Sequence, residues 1–308
     1  MKPLLTIILF FSFSYSKTPS KKEVLLSIAQ KYLPDNVVVL KKYDEATVNF
    51  LARGDSLEEY ICDFSTVIHE GFHKFEDGIN FYDDTLRHYR LDDSTTIAIR
   101  KFKSFPSRKL NDFVPTAIQK EIFRYSTYIN SADSNDDTQQ NGFLGLLEEY
   151  AAYYQSLKAY TSTYYFLKDT FGWTKPQVWI NYLNNGSEIY AINEFKLFFS
   201  WYLQYSKSKS PDIYKKIVSD SNIKRLYTKI DFNSKQLINT FLVNRDNIIA
   251  NIKSRTEYQG GIIKLVGTEV GYNIDEHVKT LRKTEVLLKE SNQKILKQLK
   301  EVIITQND

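Results

Sequence analysis

Apolar residues recur with a helical period over residues 21–33, "KKEVLLSIAQKYL", and the pattern stops before Pro34. The next stretch, residues 36–54, is "NVVVLKKYDEATVNFLARG". It is rich in β-branched residues, is broken near Tyr43 and Asp44, and predicts one or two short strands. Gly54-Asp55-Ser56 ends them. Ser56 with Glu59 three residues on makes a capping box, so a helix is expected from there to about Asp77. Leu57, Tyr60, Ile61, Phe64, Val67, Ile68, Phe72 and Phe75 fall on one stripe of that helix at about 100° per residue. His69 and His73 lie roughly 125–165° from the centre of the stripe by the same arithmetic. One face is therefore bound for the core and another carries both imidazoles.

Further along, "STTIAIRKF" alternates as a strand does, and Arg100, Lys101 and Lys103 mark it as an edge. "VPTAIQKEIFRYSTYI", residues 114–129, predicts a helix, and the polar, acidic "SADSNDDTQQNG", residues 131–142, a flexible loop. A long helix opens at about Phe143, and from Lys175 the pattern stays mostly helical. The exception is "QGGIIKLVGTEVGY", residues 259–272, a Gly-broken strand or loop. Leu281, Leu288, Ile295 and Val302 are seven apart, but Glu285 and Asn292 interrupt the paired positions, which predicts a packing helix and not a coiled coil. There is no internal repeat. The expected fold class is α+β and predominantly helical. A part spanning 17–142 holds a small sheet and the histidine helix, and a helical part spans 143–308.

The 308 residues are 42% hydrophobic, 15% aromatic and 25% charged, a composition that supports a substantial core rich in rings. The net charge of +4 is small for this size and gives no argument for nucleic acid, whose binders usually show a clustered basic face. The first residues do change the picture. Lys2 precedes an apolar run from Leu4 to Phe13, and Ser14-Tyr15-Ser16 offers small residues where signal peptidase reads. Residues 1–16 are expected to be a signal peptide cut after Ser16, leaving a secreted or periplasmic protein with no stable membrane insertion. The run is short of the roughly 20 residues that a spanning helix needs, and retention as an anchor is the alternative. Cys62 is the sole cysteine, so no disulfide can form within the chain despite the oxidising compartment.

The candidate chemistry lies in "STVIHEGFHKFED", residues 65–77, which holds two of the four histidines. Residues four apart on a helix point the same way, with side-chain roots about 5–6 Å apart. Two imidazole nitrogens can then converge on one zinc ion at about 2.0–2.1 Å. Glu70, one position round the helix, can reach a water held by that ion and take its proton. A catalytic zinc site needs a third protein ligand. His88 and His277 sit at no known spacing, and Glu76 and Asp77 on the next turn point back poorly. In "GLLEEYAAYY" the apolar stripe of the helix leaves Glu149 roughly 90° from its centre, at the border, and Glu148 nearly opposite. A border carboxylate can look into a cleft, whereas one opposite the core looks at water, so Glu149 is preferred as the ligand.

HEGFH in an exported chain, with "LLEEYAAYY" downstream, resembles the gluzincin group of zinc metallopeptidases. The resemblance covers these two short segments and implies a zincin-like fold. It assigns His69, His73 and Glu149 to the metal and Glu70 to the role of general base, with a peptide or protein as substrate. Ala152 fits the small residue of the group's E-x-x-A pattern. Many members carry Asp four residues after the glutamate to orient a ligand histidine; here that position is Tyr153, and Asp77 is one possible replacement. Tyr153, Tyr154, Tyr272 and His88 are the candidate oxyanion donors, and "QGGIIKLVGTEVGY" is either a strand over the cleft or a surface hairpin. The competing expectation is an exported module that keeps the fold and binds zinc or protein without catalysis. Cys62 stands about 10 Å from His69 by helix rise, too far to share the ion. Asp133, Asn135 and Asp137 alternate like a calcium loop, but Thr138 and Leu144 occupy its glycine and bidentate positions, which excludes an EF-hand.

Overall fold

Ser20 opens the first helix as a capping box. Its hydroxyl accepts the Glu23 N–H at 3.2 Å, and Glu23 accepts the Ser20 N–H at 2.8 Å. Helix α1, Lys21–Tyr32, ends before Pro34 as the sequence requires. The computed structural model describes residues 19–300 apart from positions 81, 270 and 292. The expected signal peptide lies outside the described residues, as does Val302.

Residues 37–51 are not strands. They form α2, Val37–Lys41, and α3, Glu45–Leu51, the latter capped by Asp44 accepting the Thr47 N–H at 2.7 Å. Tertiary packing overrides the β-branched run here. Val39, Leu40 and Val48 are fully buried, and α2 lies against the histidine helix at Gly71. A Cβ on Gly71 would come within 2.7 Å of Val39 Cγ1 and 2.8 Å of the Tyr43 ring, so the glycine of HEGFH is what lets α2 approach.

Ser56 and Glu59 form the capping box that the sequence predicts. Behind it come α4, Leu57–Tyr60, one tight turn over Ile61–Asp63, and α5, Phe64–Asn80. Phe64, Val67, Ile68 and Phe72 are buried, as the stripe requires. Cys62 is half-buried at the tight turn, where burial pushes its thiol up to about 12 and leaves it inert.

Strands β1, Leu86–Arg90, and β2, Thr96–Arg100, pair antiparallel with His88 opposite Ala98. The strand expected in "STTIAIRKF" is β2; its partner β1 carries no clean alternation that would have revealed it. Arg87 and Tyr89 share its buried face. Residues 114–129 hold two separate turns, α6, Thr116–Gln119, and α7, Tyr125–Tyr128, and not one helix. Between them Arg124 turns inward to a buried ion pair with Glu194 at 2.8 Å. The stretch 131–142 is also less loose than its polarity predicts. It forms α8, Asp137–Gln140, whose Gln139 is 4% exposed and donates to Ser107 and the Tyr128 carbonyl.

Gly142, at φ 55°, then starts α9, Phe143–Phe171, in a position where a Cβ would meet the Phe105 carbonyl at 2.2 Å. Helices α10, Pro176–Asn184, α11, Glu188–Lys209, α12, Pro211–Ser219, and α13, Ser221–Ile252, complete the helical part. The Gly-broken segment becomes a meander of β3, Thr256–Gln259, β4, Ile262–Leu265, and β5, Gly271–Asn273, packed on α10. Helices α14, Glu276–Glu290, and α15, Gln293–Leu296, follow and pack on α11. The described residues are thus predominantly helical with two small sheets. One apolar cluster runs from Leu25 to Leu299, with α5 and α9 making the most extensive helix pairing.

Glu76 ties β1 to α5. Its Oε1 accepts the Arg90 N–H at 2.8 Å, while Oε2 is buried without a donor. Burial pushes its carboxyl up to about 8, against the smaller opposing pull of the Arg90 N–H and of Arg87 and Arg90. The folded state therefore binds a proton here that the unfolded state releases near pH 4.5. Stability from this group is whole below that pH and is lost as the pH rises toward 8. Glu76→Gln should match the wild type near pH 5 and exceed it at pH 9 by on the order of a few kcal/mol in denaturant unfolding. An equal effect at both pH values would show that the carboxyl is ionised throughout.

Candidate metal centre

The site forms where α5 crosses α9. His69 and His73, one turn apart on α5, turn their Nε2 atoms toward each other at 3.3 Å. Glu149 on α9 brings Oε2 to 3.5 Å from each of them. These are the one metal-competent group of His, Cys, Asp and Glu among the described residues. Ala152, fully buried one turn beyond Glu149, keeps the helix surface small beside it.

The triangle fits a tetrahedral ion. Two donors each about 2.0–2.1 Å from a zinc, at a tetrahedral angle, stand about 3.3–3.4 Å apart. The three edges here are 3.3, 3.5 and 3.5 Å. Glu149 Oε2 is buried without a hydrogen-bond donor of its own and aims between the two ring nitrogens. Burial alone would push the Glu149 carboxyl up, but the His69 and His73 rings outweigh it and hold the carboxyl well below its usual range. His73 shows the reverse balance: burial pulls its pKa down, and Glu149, then Glu70 and Asp137, raise it above the ordinary imidazole value. A donor set of two imidazoles and one carboxylate is one that zinc accepts.

Glu70 is exposed, next to buried His69 and one turn from half-buried His73. Position 70 follows His69 by about 100° of helix, which turns the carboxylate away from the ring nitrogens and toward the open side.

The partner that orients His73 is one that helical periodicity assigned to water. Glu148 is 4% exposed, and its Oε1 takes the His73 Nδ1 at 2.9 Å. Its other oxygen meets Arg87 from β1, and Arg87 in turn holds Asp137 in a fork of 2.8 and 3.2 Å. The wheel missed this because it places only the core of one helix. Glu148 faces away from that core but toward the sheet, which the wheel does not contain. Asp77, the sequence candidate for the role, is exposed. Nothing in the sequence pointed to Arg87 or Asp137 for this role.

Of the four candidate donors, Tyr153 is the one whose ring packs on one of the two imidazoles. Its ring sits 4.4 Å from that of His69, its hydroxyl pairs with Tyr128 at 3.0 Å, and Arg124 lies 4.4 Å from its face. Tyr154 bonds Asn233, Tyr272 bonds Gln177 and His88 faces Asp83. His277 bonds the Asn184 carbonyl and takes no part.

Glu148→Gln keeps the shape of the side chain and removes the charge that holds the His73 N–H. It should weaken zinc binding about 10–100-fold, read by competition with a chromophoric chelator. Unchanged affinity would mean that the charge of Glu148 plays no part in orienting the ring.

The chain matches no protein-family model, no curated protein and no solved structure at a significant level. Among the described residues no helix is long and apolar enough to cross a membrane.

Proposed function

We propose that this protein is an exported, zinc-dependent metallopeptidase of gluzincin type, with a zincin-like core formed by α5, α9 and the small sheet. The reading rests on one observation: three donor atoms, two from neighbouring turns of α5 and one from the distant α9, lie 3.3–3.5 Å from one another with an exposed glutamate next in sequence to His69. His69, His73 and Glu149 would hold the metal. Zinc in such a site supplies a Lewis acid for the carbonyl and lowers the pKa of its water to about 7. Glu70 accepts the proton of the water that attacks the scissile carbonyl, then delivers it to the leaving amine. Glu148, backed by Arg87, keeps the proton of His73 on Nδ1 so that Nε2 stays free. The Tyr153 hydroxyl is the donor best placed for the developing oxyanion, because the phenol ring already rests against His69.

The exposure of Glu70 favours this reading over a metal-binding module without catalysis, since a structural site needs no free acid at that point. The test is metal analysis of the purified protein, followed by hydrolysis of unfolded casein with and without chelator. One zinc per chain and chelator-sensitive cleavage are expected. Bound zinc with no cleavage of casein or of a random peptide library would leave the non-catalytic module as the better reading.

A further inference from the structure

Behind the metal centre, one turn nearer the start of α5, lies a second buried polar group that the proposed mechanism does not use. Glu188, the first residue of α11, is 6% exposed. Its Oε1 accepts the Ser65 hydroxyl at 2.6 Å and the Ser156 hydroxyl at 3.4 Å. Ser156 also donates to the Ser65 carbonyl at 3.1 Å, so α5, α9 and α11 are joined at this point. Ser65 and Ser156 are 3% and 2% exposed. The other oxygen of Glu188, Oε2, is buried and receives no donor.

Four residues on from Ser65 stands His69. Side chains on a helix lean toward its N-terminus, so the imidazole of residue 69 lies over the turn that holds Ser65. Its Nε2 faces His73 and Glu149. Nδ1 is then the nitrogen that carries the proton when Nε2 is a ligand, and this atom is buried with no acceptor. A donor without an acceptor and an acceptor without a donor thus flank the same turn. Buried groups of this kind are paired directly or through one ordered water. His73 already has a carboxylate on its Nδ1 in Glu148, whereas the Nδ1 of His69 has no partner.

We infer that Glu188 is the positioning residue for His69, the counterpart on a third helix of what Glu148 does for His73. Its charge, carried across Ser65, fixes the His69 proton on Nδ1 and turns Nε2 toward the metal. The inference rests on the metal-centre reading given above. It accounts for an ionisable side chain placed at a junction of three helices, where a glutamine would satisfy both serines.

The experiment compares the full chain with Glu188→Gln, which keeps the bonds to Ser65 and Ser156 and removes the charge. Zinc affinity is read by chelator competition. The His69 imidazole proton is read by NMR on ¹⁵N-histidine-labelled, zinc-loaded protein, where only four histidines contribute. Glu188→Gln should bind zinc about 10–100-fold more weakly, and the downfield Nδ1–H signal of His69 should move or broaden while that of His73 stays in place. Glu188→Asp, which restores the charge, should recover part of the affinity. The inference fails if zinc affinity stays within twofold of the wild type and the His69 signal is unmoved. It also fails if the aspartate variant binds no better than the glutamine variant, which would make the side chain a packing element alone. A wild-type chain that takes up no zinc would overturn the metal centre itself, an outcome that the wild-type arm registers separately.

Discussion

Glu70→Gln should yield a protein that folds and loads zinc like the wild type yet cleaves peptides about 10²–10⁴-fold more slowly, the usual contribution of a positioned general base. The glutamine keeps the size of the side chain and removes its ability to take a proton. Because residue 70 is exposed and its atoms are not among the donors, neither packing nor metal affinity should follow the loss of rate. The check is kcat against a fluorogenic peptide, paired with zinc content by elemental analysis. A rate within tenfold of the wild type, at full zinc content, would remove Glu70 from the chemistry. The proton would then need another acceptor, and the site holds no second exposed carboxylate next to the ligands on α5 nearer than Asp77.

The second large effect is expected at Glu149. Glu149→Ala takes one of three donors from the triangle and leaves His69 and His73 to hold the ion alone. Affinity should fall by more than the 10–100-fold that an orienting residue is worth. Thermal unfolding makes the loss visible without any assay of activity. Zinc at about 100 times its Kd stabilises the wild type by about 2.7 kcal/mol, which for a chain of this size raises Tm by roughly 4–5 °C. The alanine variant should show little or no rise at the same zinc concentration. Its metal-free Tm is read alongside, because Glu149 meets His69 and His73 at 3.5 Å without the ion as well, and only the rise on adding zinc reports the ligand. If the variant gains as much from zinc as the wild type does, the ion is bound elsewhere and the triangle is a coincidence of packing.

Sequence alone placed Glu149, and not Glu148, beside the two imidazoles, but for only half of the right reason. The border position of Glu149 on the α9 wheel does place its carboxylate in the groove between helices. The other half, that Glu148 faces water, fails because β1 covers that side of α9 and brings Arg87 to it. A wheel records where one helix keeps its own apolar residues and knows nothing of a neighbour packed on its polar flank. The same limit explains residues 37–51, where a β-branched run that reads as strand is held as helix by burial against α1 and α5. It also explains Arg124, whose buried partner Glu194 lies 70 residues away.

By itself the chain determined what short-range periodicity can encode. The spacing of His69, Glu70 and His73 on one face, the capping box that starts their helix, the apolar stripes and the glycine stops all act within one or two turns. The tertiary structure decided everything that depends on a second or third element arriving: which oxygen of which acid meets the two imidazoles, what holds the far nitrogen of each ring, and which tyrosine lies against them. Those contacts span tens of residues and are fixed by the joint burial of α5, α9, α11 and β1, a many-body packing condition that no local pattern in the sequence records.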